Sequence, residues 1–447
     1  MKRITASVLL VFFGFPFAIQ PVIAQFIIDG DIQNYNALSI SSDNELINAR
    51  NRLNLQIERK FSFGNLYSEA HLFNNYHDSF DFEWIFREFY LDVFTPNYDI
   101  RIGLQKLTAG RSDAGFVTDI YSGLDYRDFL TKEPEEIVLG TLAMNIRRYF
   151  NQNSIQLLIN PFHKKSILPD SDSRWFPVQN SEIPIPVRLK RADQKNSLSG
   201  LSGSLNYAHR STPNLDFDVS FLYWNYPVPS LGYQLNNSNS VQNIELDLYE
   251  TYQRSFMIGF SGLYQLTDRW FLISETLFVR NRLFTFTTFP SELLENAFEN
   301  NLSAIQLLSR FENREDNYLM GKPWIHSMAG VRTDLSGFTL SSQIYLEWIL
   351  DYNPEILANQ YYPYVTFSVS RLLNRDRLRL TAINRYNFIG NDWLLQFLGL
   401  YEIIDGLDFS LGTNLMGGEE TAPLYGHFSF NQYRDHSFIF SRITYYF

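Results

Sequence analysis

The chain has 447 residues, no cysteine, a formal charge of -11 and 16% aromatic residues, among them 27 Tyr and 39 Phe. The missing cysteines exclude a disulfide framework and thiolate metal sites, and an acidic chain without a run of Lys and Arg offers no phosphate-binding stripe to nucleic acid. So much ring surface at a mean hydropathy of -0.19 is what strands with one greasy and one wet face require, and it leans toward an outer-membrane barrel.

The first residues read "MKRITASVLLVFFGFPFAIQPVIAQ". Lys2 and Arg3 form a charged leader, Val8 to Ile19 an apolar run, and Val22-Ile23-Ala24 a small-residue cleavage site. This pattern predicts a secretory signal peptide over residues 1–24 and a mature chain from Gln25. Pro16 and Pro21 break the run, which argues against a membrane anchor. Beyond it no stretch of about 18 apolar residues occurs, so no transmembrane helix is expected. An exported chain of this kind is periplasmic, secreted or a barrel.

Strand-like alternation then recurs along the chain. In "RLNLQIE" Leu53, Leu55 and Ile57 alternate with Arg52, Asn54, Gln56 and Glu58; in "NLDFDVSFLYW" Leu215, Phe217, Val219, Phe221 and Tyr223 alternate with Asp216, Asp218 and Ser220. In "FTLSSQIYLEWILD" Phe338, Leu340, Ile344, Leu346, Trp348 and Leu350 oppose Thr339, Ser341, Gln343, Tyr345, Glu347 and Asp351. A run of that length reaches about 45 Å at strand rise, far beyond the usual five or six residues. In "LRLTAINRYNF" Leu378, Leu380 and Ala382 face away from Arg379, Thr381 and Arg385.

Connection lengths carry more information than any one strand. Tight turns fall at Phe61 to Gly64, Thr95 to Asn97, Asn151 to Asn153, Ser211 to Asn214, Thr267 to Arg269, Leu335 to Gly337, Leu373 to Asp376 and Asp405-Gly406. Nine other connections lie between them, several of them long: Lys106 to Glu136, Pro161 to Ser197, Pro227 to about Leu248, Phe284 to Pro323 and Gly418 to Asp435. The fold predicted is all-β: one transmembrane antiparallel barrel over 25–447, of about 18 strands with 16 as the alternative. Its short turns and both termini would be periplasmic and its long loops extracellular. The closing "SRITYYF" puts Ile443, Tyr445 and Phe447 on alternate positions. Outer-membrane barrels typically end so, and by that likeness these three residues form a signal for the barrel assembly machinery.

A barrel of that size leaves an aqueous lumen unless loops occlude it. By parity the lumen wall presents Arg50, Arg52, Arg101, Arg377, Arg379 and Arg385 together with Glu58, Glu69, Glu88, Asp92, Asp216, Asp218 and Glu347. Both signs are present, which favours polar or zwitterionic solutes. Two loops are candidates to fold inward. Residues 284–323 have Pro290 at a helix start, early Glu292, Glu295 and Glu299 and late Arg310 and Arg314, as a helix dipole prefers. Residues 106–136 mix Gly with Arg111, Asp113, Asp119, Asp125, Arg127 and Asp128, and these six are the predicted constriction and selectivity residues. Asp113, Asp119, Asp125 and Asp128 are also the oxygen ligands a Ca²⁺ ion would want, but such spacing is common, so no metal and no cofactor is assigned.

The segment from "REFYLDVFTPNYDIRIGLQKLTAG" to "LLINPFHKKSILPDSDSRW", roughly Trp84 to Trp175, resembles a largely uncharacterised porin-like outer-membrane family and, more loosely, alginate-export barrels. Members of that family carry a Gly-Arg-Gln strand end, a Trp-Gly pair, an Asp, an Asn-Pro turn and a Pro-rich loop. Gly103, Gln105, Gly110, Asp119, Asp125, Pro161 and Pro169 fit that pattern. Leu104 stands in place of the Arg, Ala109 of the Trp and Ser122-Gly123 of the Asn-Pro.

The leading expectation is therefore a porin-like channel for passive or facilitated diffusion of a hydrophilic or amphiphilic small solute in the outer membrane of a Gram-negative bacterium. Its partners would be outer-membrane lipid and lipopolysaccharide, the assembly machinery and the solute; oligomeric state is not legible. The alternative is a loop-occluded surface barrel that binds or assembles polysaccharide or lipid, kept open by loop aromatics such as Trp175, Phe176, Trp224 and Tyr226. An outer-membrane hydrolase is disfavoured, because His71, His209 and His326 sit apart with no Ser motif beside them. No catalytic residue is assigned.

Overall fold

The computed structural model describes residues 26–447 except 41–44, 77–81, 114, 172, 177–186, 192–199, 238–243, 287–314 and 420–428. The predicted signal peptide, and the helix-like part of the loop 284–323, lie outside the described residues.

Period-two alternation becomes a closed ring. Eighteen strands form one sheet, each paired antiparallel with its neighbours in the ring. The first, Phe26–Ser39, pairs with Leu46–Phe61 on one side and with the last, Phe438–Tyr446, on the other, so no edge is left. Closure gives every strand a partner on both sides, and a lipid core demands no less. The count is 18 and not 16. The strand Phe338–Ile349 shows why the pattern selects this fold. Ile344, Leu346 and Trp348 are exposed on the outside, whereas Ser341, Gln343 and Tyr345 are buried on the inner face. Among the described residues no helix is long and apolar enough to cross a membrane.

The eight short turns fall where the sequence places them. Leu335 pairs with Phe338 around Ser336-Gly337, both at positive φ (52° and 80°), the two-residue turn whose twist suits a hairpin. At the other end of the ring the connections are longer, and they hold a feature absent from the sequence reading. A second sheet of three strands forms there, with Val187–Lys190 parallel to Ile244–Thr251 and Ser230–Asn237 antiparallel to it.

The seam between first and last strands is continued by Phe447. Its N–H donates to the Gly30 carbonyl and its own carbonyl accepts from the Gly30 N–H, both at 3.0 Å. The Phe447 ring lies so close over Gly30 that a Cβ there would stand 2.7 Å from its Cζ. The same Cβ would stand 2.4 Å from the Asn54 carbonyl oxygen of the neighbouring strand, so the position suits glycine.

Candidate functional site

The connection between strands Tyr98–Gln105 and Thr141–Phe150 leaves the rim and makes two legs. On the first, Leu107, Val117, Ile120 and Tyr121 are buried in one apolar cluster with Leu222, Trp224, Ile273, Leu277, Val279, Trp324 and Tyr345. Those wall positions share the inner face with polar residues, and a wet lumen would leave them uncovered. Full burial of a Val or Ile side chain is worth about 1.5–3 kcal/mol, so the loop and this arc of wall hold each other.

Polar contacts fix where the first leg sits. Glu275, on Trp270–Thr285, is buried and points into the loop. Its Oε1 accepts from the backbone N–H of Arg111 and of Ser112, and its Oε2 from the N–H and hydroxyl of Thr118 at 3.2 and 2.8 Å. Gly110, at φ +88°, permits the wrap, because a Cβ there would lie 2.8 Å from both Glu275 Oε2 and Thr118 Oγ1. Arg111 reaches Asp218 at 3.1 Å. Asp113 accepts from Arg332, Ser341 and Gln343, and the Tyr121 hydroxyl donates to Asn206 at 2.9 Å. Among the described residues Asp119 accepts the Ala109 N–H alone, at 3.1 Å. Burial, with the charge of Glu275 adding and that N–H opposing, pushes its carboxyl up to about 7.

The second leg is held by charge. Asp125 pairs with Arg127 at 2.8 Å and Lys132 at 3.1 Å. Asp128 pairs with Lys132 and, at 3.4 Å, with Arg50. Glu136 bridges Arg50 and Arg52, and Arg52 also binds Asp31 at 2.6 Å. Arg442 meets Glu133. Arg87 donates to the carbonyls of Glu135 and Val138 at 2.9 and 2.6 Å. Burial raises the Asp125 and Asp128 carboxyls, but the adjoining cations outweigh it and hold both below the usual carboxylate range. The strand bearing Glu275 is the eleventh of the ring and that bearing Arg50 and Arg52 the second. The loop thus touches walls half a circumference apart. Between its second leg and the wall lies a cavity of about 580 Å³, lined by residues including Asn48, Arg50, Phe73, Arg87, Asp125, Lys132, Glu136 and Trp175.

The other predicted wall residues fall away from this loop or on its fringe. Glu69 binds His71 at 2.9 Å and Lys106 at 3.1 Å. Arg101 pairs with Asp92 at 2.7 Å and lies over Tyr90, so it does not face the loop. Glu347 meets Arg282 at 3.5 Å, Arg385 stacks on Tyr364 and binds Asn387, and Arg379 is exposed. Ile443, Tyr445 and Phe447 are exposed and apolar on the outer face. Glu275, Glu136, Lys132, Arg87 and Arg442 were not singled out by the sequence. A single carboxylate between Ile273 and Leu277 on one strand face was the available signal for Glu275.

This fold, a closed 18-stranded antiparallel barrel, is shared with solved outer-membrane porins. Acinetobacter baumannii OccAB3 superimposes with a TM-score of 0.52 at 8% identity, over 95% of this chain and 99% of that one. Pseudomonas aeruginosa OccK8 (OprE) gives 0.52 at 6% over 95% and 98%. Pseudomonas aeruginosa OccK2 (OpdF), solved in complex with glucuronate, gives 0.50 at 8% over 95% and 97%. No family model matches the sequence, and no curated protein matches it.

Proposed function

We propose that this chain is an outer-membrane channel for diffusion of a small hydrophilic or amphiphilic solute, with the loop Lys106–Glu136 as its constriction and selectivity element. The observation that carries the reading is the loop itself, anchored at Glu275 on one wall and at Arg50 and Arg52 on the opposite wall of a closed ring. A loop so placed narrows the lumen, and its charges act on a passing solute more strongly than charges on a solvated surface do. The cavity of about 580 Å³ beside it has the volume of a small-ligand site, and both signs of charge line it. A sugar acid such as the glucuronate bound by OccK2 (OpdF) is within that size. Three of the histidines have partners of their own: His71 binds Glu69, His209 Tyr207 and Thr212, and His326 Tyr364. In this reading the short turns and both termini face the periplasm, and the outer face meets lipid and lipopolysaccharide.

Single-channel recording in planar bilayers tests it. The parent should conduct, and deleting Thr108 to Thr131 should raise conductance. Equal conductance removes the loop as constriction; silence of the parent refutes the channel and favours a loop-occluded barrel that binds polysaccharide or lipid at its surface.

A further inference from the structure

We propose that the contact between Glu275 and the first leg of the loop is an acid-strengthened latch, in which a protonated Asp119 keeps the loop docked on the wall and an ionised Asp119 loosens it. The effect on conduction rests on the loop being the constriction; the latch itself does not. Glu275 gathers three backbone N–H groups and one hydroxyl, and this satisfies its charge. Asp119 follows Thr118 directly and is half-buried, and among the described residues it has one hydrogen-bond partner, an N–H. Two carboxylates held close together, one buried and one half-buried, do not both ionise cheaply.

Among the described residues the groups that act on Asp119 are few. From the wall strand Trp270–Thr285 comes the negative Glu275, and from its own loop the Ala109 N–H. Tyr121, also of the loop, feels the charge of Asp119, but its hydroxyl is taken up by Asn206 of the strand Ser202–Thr212. The cation of this leg, Arg111, is turned to Asp218 of the strand Leu215–Asn225. An ionised Asp119 is left beside a second negative charge.

The sign follows from linkage. A solvated Asp titrates near 4, and the docked Asp119 near 7. Between those values the docked loop holds a proton that the released loop does not. The docked-to-released ratio is therefore highest below about pH 4, falls by up to tenfold per pH unit, and levels above about 7. Asp119→Asn removes the titration and keeps an oxygen for the Ala109 N–H.

Hydrogen–deuterium exchange of the mature chain in lipid nanodiscs, at pH 5 and pH 8 and corrected for intrinsic rates, reads the amides of Arg111, Ser112 and Thr118. The parent should lose protection by tenfold or more between the two, and Asp119→Asn should show no such loss. Equal protection of the parent at both pH values, or the same loss in Asp119→Asn, overturns the latch. Exchange reports docking in a silent barrel as well as in a conducting one, so failure of the latch and failure of the channel reading are told apart.

Discussion

Replacing Glu275 by Gln changes a few atoms and removes half of the acceptor that holds the first leg. Glu275 takes four hydrogen bonds, two on each oxygen. Gln retains one oxygen, so the amide NH₂ meets two donors. The Thr118 hydroxyl can turn round and accept; the Thr118 N–H, buried, is left without a partner at a cost of about 1–3 kcal/mol. The two bonds that survive lose their charge assistance, about 1 kcal/mol each. Relief from burying an ionised carboxylate offsets part of this, leaving roughly 2–4 kcal/mol against docking, or about a 30- to 1000-fold shift toward the released loop. Single-channel recording at pH 5, where Asp119 is protonated in the docked loop, isolates this effect. Time spent in the wider state should rise at least 30-fold over the parent. Dwell-time histograms that superimpose for parent and variant would refute the assignment of Glu275 as the anchor.

Three other outcomes are expected. Converting Asp113, Asp119 and Asp125 together to Asn removes one carboxylate partner from each of Arg332, Arg127 and Lys132, of which Arg127 keeps Glu83 and Lys132 keeps Asp128, so the reversal potential in a salt gradient should move toward anion selectivity, most clearly at low salt; an unmoved potential counts against the loop as selectivity element. The second leg should ignore pH between 5 and 8. Asp125 and Asp128 are raised by burial but held by their cations below the ordinary range; such carboxylates lose their contribution only as pH falls through the docked value, so a drop in amide protection around Asp125 at pH 5 would contradict these pairs. Gly30→Val sets a side chain against both the Asn54 carbonyl and the Phe447 ring and should lower the amount of barrel recovered in the membrane while export continues; undiminished recovery would show that the seam does not need that close approach.

The ring was legible because its signals are local. Alternation is written residue by residue, and turns such as Ser336-Gly337 state their own geometry. Parity gives the face of a strand but not the height along it. Arg50 and Arg101 both read as lumen cations, yet Arg50 meets the loop while Arg101 lies near the turn between Phe94 and Tyr98 and pairs with Asp92. The loop's grip was not legible for a different reason. Glu275 is held mostly by backbone amides, which every residue but proline has, and the partners stand 157 to 164 positions away. The extra sheet escaped because "IELDLYET" alternates like any strand and nothing in it says which sheet it joins. The wall arginines Arg50 and Arg52 were visible as charges, and what hid their partners Asp128 and Glu136 was chain separation.

The arc of wall beneath the first leg, with Leu222, Trp224, Leu277 and Val279, has a consequence for any channel from which the loop is cut away. The vacated space would border a strip of oil set into a column of water. Such a strip sheds water and thins the conducting film along it, because narrow apolar passages dewet. It also collects amphiphiles, as exposed apolar patches do. A loop-deleted barrel should therefore gain less current than its freed cross-section alone implies, and should take up detergent or fatty acid that the intact barrel refuses. Here the loop is the inner skin of the wall, whatever it does to the passage beside it.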